Sequence, residues 1–145
     1  MRGVSFSLRP AVPLLAPVLG VVLAALPTGA THLPDHRFLV LGFVTDAEGR
    51  QIAGTRVVVT RLKTGLEHPT TTERDGFYLV VVHLHDEDEG ERLGLDARGV
   101  KAEVRARFDT RDKKVERGTR VDVRADRLVE NRRAFAETLR AYLNR

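Results

Sequence analysis

Cysteine is absent from all 145 residues. That excludes disulfides, thiol catalysis and cysteine-ligated metal, and it leaves the domain to rely on its apolar core for stability. Serine is nearly as scarce. Ser5 and Ser7 both lie close to the N-terminus and no other serine follows, so a serine hydrolase built from the rest of the chain is excluded as well. Thr70, Thr71 and Thr72 offer hydroxyls, but no histidine–acid pair is placed by the sequence to activate them. No glycine-rich phosphate loop is present. No basic stripe interleaved with aromatics is present either, so nucleic acid is not an expected partner. An enzyme is the least favoured function class on these grounds.

The N-terminus has the layout of a secretory signal peptide. Arg2 and Arg9 make a short basic start, residues 11–26 are almost entirely apolar, and Pro27-Thr28-Gly29-Ala30 supplies small residues. Cleavage is expected after Ala30. Pro13, Pro17 and Gly20 interrupt the apolar run, which argues against a retained membrane anchor. Residues 1–30 hold two arginines and no acid, so their removal lowers the formal net charge from +4 to +2. The chain from Thr31 onward is therefore expected to be secreted or periplasmic, nearly charge-balanced and without a stable membrane span.

Short apolar segments separated by turn signals fill residues 31–125. Phe38–Val44 is apolar at nearly every position. Arg56–Thr60 puts Val57 and Val59 on one face. Glu67–Thr72 reads as an edge strand, because Pro69 cannot donate to a ladder. Asp75-Gly76 is a tight turn feeding Phe77–Leu84, which reads as a buried central strand. Within it Phe77 and Leu79 share parity and are expected to meet Val57 and Val59 in the core. Leu93 and Leu95 alternate with polar residues, as do Val100, Ala102, Val104, Ala106 and Phe108, and then Val121 and Val123. This period of two means one buried and one wet face. About seven strands at near-regular spacing predict a mainly β fold, a seven-stranded antiparallel sandwich.

Residues 126–145 read as an amphipathic helix capped by Asp126, with Leu128, Phe135, Leu139 and Tyr142 as its apolar stripe. Phe38–Val44 and Phe77–Leu84 are apolar on both faces, and such strands need cover on both. The helix is therefore expected to fold back over the outside of the sheet that holds them. The competing readings are pairing with another copy of itself, or lying on a membrane surface through Arg127, Arg132, Arg133, Arg140 and Arg145.

Three stretches together resemble the carboxypeptidase regulatory-like domain: Leu41-Gly-Phe-Val-Thr-Asp-Ala-Glu-Gly49, Ile52-Ala-Gly-Thr-Arg-Val-Val-Val59 and Thr71-Thr-Glu-Arg-Asp-Gly-Phe-Tyr-Leu79. The resemblance implies a prealbumin-like (transthyretin-like) β-sandwich over residues 31–125. It is weaker on function, since such domains accompany proteins of many kinds. Transthyretin-like hydrolases of a purine-derived substrate end in Tyr-Arg-Gly-Ser. This chain ends Tyr142-Leu-Asn-Arg145, which speaks against that activity.

His83-Leu84-His85 is the sharpest chemical feature. Residues i and i+2 on a strand face the same side, so both imidazoles can reach one ion. Imidazole with neighbouring carboxylate suits zinc, copper or nickel. The plainer alternative is a strand end running into a solvated acidic loop. His32 and His36 would join as ligands if the lead-in folds back. The loop Asp86–Glu91 lacks the alternating oxygen spacing of a calcium loop and reads as solvated. Two functions remain. One is an exported, non-enzymatic binding or accessory module for an envelope or extracellular protein or carbohydrate, with no cofactor. The other is a periplasmic protein binding a divalent transition metal through His83 and His85.

Overall fold

The computed structural model describes residues 36–145. The expected leader, with Ser5 and Ser7, and the lead-in residue His32 lie outside the described residues. Among the described residues eight strands appear in order: β1 (Arg37–Thr45), β2 (Arg56–Arg61), β3 (Leu66–Thr71), β4 (Phe77–His83), β5 (Arg92–Ala97), β6 (Val100–Arg105), β7 (Gly118–Arg124) and β8 (Arg127–Glu130). A helix, α1 (Phe135–Leu143), follows. The strands form two four-stranded sheets ordered β4-β1-β7-β8 and β3-β2-β5-β6. Among the described residues no helix is long and apolar enough to cross a membrane.

The expectation of seven antiparallel strands is corrected twice. β8 is an additional strand, taken from residues read as the start of the helix. Arg124 pairs with Arg127 across a two-residue turn in which Ala125 sits at φ 51°. Tight hairpins need such left-handed positions, and glycine or asparagine is what usually announces them. Secondly, β1 and β7 run parallel, Leu39 opposite Gly118 and Thr45 opposite Arg124. The chain between β6 and β7 crosses from one sheet to the other, and parallel neighbours require a crossover of that kind.

Even-numbered residues of β1 and β4 face the second sheet. Phe38, Val40, Val44, Tyr78, Val80 and Val82 form one buried cluster with Val57, Val59, Leu93, Leu95, Val121 and Val123. Odd-numbered residues face outward, where Leu39, Leu41 and Phe77 form a second buried cluster with Phe135 and Leu139 of α1. Phe77 thus differs from the expectation. It lies under the helix, stacked on Tyr142 at 4.5 Å between ring centroids, and it is Tyr78 and Val80 that meet Val57 and Val59. The helix covers the outer face of the β1–β4 sheet as its apolar stripe requires, using Phe135, Leu139 and Tyr142. It is shorter than residues 126–145, and Leu128 packs from β8 against the inter-sheet cluster instead.

β4 is also not central. It is an edge of its sheet, and β1 lies inside. Its two apolar faces answer to the opposing sheet and to the helix, whereas edge or centre is decided by backbone pairing.

The β1–β7 ladder breaks at Gly42. Pairing covers Leu39–Leu41 and resumes at Val44. Within the break, the Tyr78 hydroxyl donates to the Val121 carbonyl at 2.6 Å and the Phe43 N–H donates to the Asp122 carboxylate at 3.2 Å. Burial pushes the Tyr78 hydroxyl well above its ordinary pKa, with the Asp122 charge adding to the shift. Tyr78→Phe leaves that buried carbonyl without its donor and is expected to cost about 1–3 kcal/mol, measured by urea unfolding. An unchanged midpoint would show that the hydroxyl does not hold the break.

Candidate metal centre

β4 ends at His83. Two residues on, His85 opens a 3-10 turn over Asp86–Asp88. β1 starts at Arg37, directly opposite His83. The preceding residue, His36, therefore falls beside Leu84, whose N–H donates to the His36 carbonyl at 3.2 Å. Antiparallel register thus carries a third imidazole to the strand end where His83 and His85 already stand.

The three side chains form one cluster. Their candidate ligand atoms all lie within 4.8 Å of one another. Ring centroids are 4.8 Å apart for His36–His85 and for His83–His85, and 6.0 Å for His36–His83. None of the three is buried. Two nitrogens on one tetrahedral ion lie roughly 3.3 Å apart, given metal–nitrogen bonds of about 2.0 Å. Closing the cluster on an ion asks for side-chain rotation, which accessible imidazoles can make.

The backbone beneath the cluster is tied down. The Asp88 carboxylate accepts the His85 N–H at 3.0 Å, and the Asp88 N–H donates to the His85 carbonyl at 3.1 Å. Arg61, at the end of β2 in the other sheet, donates to the His83 carbonyl at 3.1 Å. Its guanidinium also grips Glu91 at 2.9 and 2.6 Å and pairs with Asp88 at 3.2 Å. These three charged side chains are almost fully enclosed and bridge the two sheets where the histidines stand.

Burial works against the ionised Asp88, but the His85 N–H, the Lys63 ammonium and Arg61 outweigh it. They hold the carboxyl below its ordinary pKa. Asp86 is likewise held low, first by the Lys113 ammonium and then by Arg117. The acidic loop is therefore partly committed. Asp86, Asp88 and Glu91 serve cations of this chain, and the expectation of a solvated loop is corrected at Asp88 and Glu91, whose side chains the ion pairs with Arg61 enclose.

His83 and His85 are brought together as their spacing implies. His36 joins them because the lead-in pairs with the end of β4. Arg61 carried no signal in the sequence, since Asp88 and Glu91 are distant from it along the chain, and those two carboxylates showed there only as members of the acidic loop.

No family model matches the sequence, and no curated protein matches it. Solved structures similar to this chain include the dioxygenase domain of a dioxygenase carbohydrate-binding protein fusion from Streptomyces sp. SirexAA-E, at 13% identity and TM-score 0.46, over 68% of this chain and 84% of that one. Catechol 1,2-dioxygenase from Acinetobacter sp. ADP1, determined with bound mercury, is similar at 12% identity and TM-score 0.40, over 70% of this chain and 56% of that one. Likeness of this degree leaves the chemistry of those proteins their own.

Proposed function

We propose that this is an exported, non-enzymatic binding module whose ligand is a divalent transition-metal ion held by His36, His83 and His85. The observation that carries the reading is the convergence of three imidazoles from two paired strand ends on one point. Three imidazoles with a position left open is a recurrent transition-metal donor set. With no cysteine in the chain, the donors favour copper(II), zinc or nickel over metals that demand thiolate. Copper(II) is expected to bind most tightly of the three, following the usual order for nitrogen sites. The imidazoles stand at an accessible strand end, which suits taking up and releasing an ion more than shielding a reaction from water.

Two four-stranded sheets sharing one core support a prealbumin-like β-sandwich, as the resemblance to carboxypeptidase regulatory-like domains implies. The leader-like residues 1–30 support export.

Calorimetric titration of the full chain with copper(II), zinc and nickel tests the function. One ion per chain is expected, and His83→Ala or His85→Ala should weaken binding at least about 10-fold. His36→Ala should do the same, and that variant separates a triad from a simple His-x-His pair. Unchanged affinity in His36→Ala would remove the third ligand. Absence of binding by all three ions at micromolar concentration would reject the metal reading.

A further inference from the structure

Among the described residues the sheet edges are β4 and β8 in one sheet and β3 and β6 in the other. Exposed edges template the addition of another strand, and proteins blunt them with charge, proline or brevity. Three edges here are blunted in those ways. β3 carries Glu67 and Pro69, β6 carries Lys101, Glu103 and Arg105, and β8 has four residues bounded by Arg127 and Glu130. β4 has seven residues, Phe-Tyr-Leu-Val-Val-Val-His, with no proline, glycine, lysine, arginine or carboxylate. Val81 on it is 51% exposed.

Backbone parity defines what this edge offers. The Val44 N–H donates to the Gly76 carbonyl at 2.9 Å, and the Leu84 N–H to the His36 carbonyl at 3.2 Å. Even-numbered residues of β4 therefore direct their backbone groups at β1, and Phe77, Leu79, Val81 and His83 direct theirs outward. The outer groups are stopped at both ends. The Phe77 carbonyl accepts the Glu73 N–H at 2.8 Å, and the Phe77 N–H donates to the Asp75 carboxylate at 3.1 Å. The His83 carbonyl is taken by Arg61. Between the stops, the N–H and carbonyl groups of Leu79 and Val81 make no hydrogen bond among the described residues.

We propose that β4 pairs with β4 of a second copy of this chain, antiparallel, about a two-fold axis through Val80. That register sets Leu79 of each copy opposite Val81 of the other. It makes four hydrogen bonds from the unoccupied groups alone and calls on neither the Phe77 groups nor the His83 carbonyl. It also lays each half-exposed Val81 beside the partner copy's Leu79 on the outer face. A second copy is the occupant because the window left open among the described residues is its own complement: two outward residues, both apolar, related by the axis. The pairing extends one sheet through both copies and leaves the histidine clusters at opposite ends of the joined strands.

The lack of cysteine makes the register directly testable. Residues opposite each other in a hydrogen-bonded pair have Cα atoms about 5.5 Å apart, within the range a disulfide spans. Full-length Leu79→Cys and Val81→Cys chains are mixed in mild detergent and oxidised with diamide in the presence of a chelator, so that the histidines hold no metal. The mixed disulfide is expected to form at least about tenfold faster than the disulfide in either variant alone, because pairing raises the local thiol concentration. A mixture that links no faster than its components overturns the proposal. Light scattering gives a second measure that does not depend on thiols. The parent should show the mass of two copies, and Val81→Lys, a change at an exposed side chain, the mass of one with an unaltered far-ultraviolet spectrum. Equal masses would place any association elsewhere.

Discussion

Phe77→Ala is expected to lower the unfolding free energy by about 3–5 kcal/mol, the range for truncating a buried aromatic. Phe77 is fully enclosed. Its ring stacks on Tyr142, meets the Phe43 ring edge-on at 5.4 Å between centroids, and lies 5.0 Å from the Arg145 guanidinium. Arg145 in turn pairs with Asp75 at 2.8 Å in the turn preceding β4. Removal of the ring therefore opens a cavity and loosens the end of α1 together. A nine-residue helix is too short to persist in water without packing, so part of the helical circular dichroism should disappear at temperatures where the sheets still stand. The measurements are urea unfolding and far-ultraviolet spectra. A variant that melts within a degree or two of the parent would mean that the helix does not lean on this ring.

Gly42→Ala is expected to destabilise by about 3 kcal/mol or more, at or beyond the upper end of ordinary overpacking. A Cβ at this position would lie 1.9 Å from the Val121 carbonyl oxygen and 2.7 Å from its carbon. The obstacle is backbone, so no rotamer change relieves it. β1 and β7 would have to separate where the Tyr78 hydroxyl and the Asp122 carboxylate already stand in for ladder bonds. Both substitutes are strained by the same movement, and the loss should exceed that of Tyr78→Phe. A change within about 0.5 kcal/mol, the usual range for a harmless surface site, would show that the two strands are not held so close.

Much of this architecture was legible in the sequence, and the failures share a cause. Alternation of side chains shows which faces are buried. Phe38–Val44 and Phe77–Leu84, apolar on both faces, therefore called correctly for cover on both sides, and the stripe Phe135, Leu139 and Tyr142 supplied it. Alternation does not show which backbone edges are paired. β4 consequently read as central when it lies at the edge, and the parallel β1–β7 pairing gave no sign of itself. Leu128 lies seven residues before Phe135, a spacing that suits a helix, and Ala125 hid the hairpin by adopting a positive φ without glycine. At the site, His83 and His85 declared themselves through i, i+2 spacing. His36 joined through the register of two strands, and Arg61 reached Glu91 across 30 residues of chain, a distance over which no local pattern operates.

Pulsed electron paramagnetic resonance of the full chain loaded with one equivalent of copper(II) reads the ligands of the three-histidine site. Coupling to the remote nitrogens of imidazole identifies histidine ligands and their number. Signals from three imidazoles are expected, reduced by one in each of His36→Ala, His83→Ala and His85→Ala. Copper that shows no imidazole coupling, or a spectrum that all three substitutions leave unchanged, would contradict it.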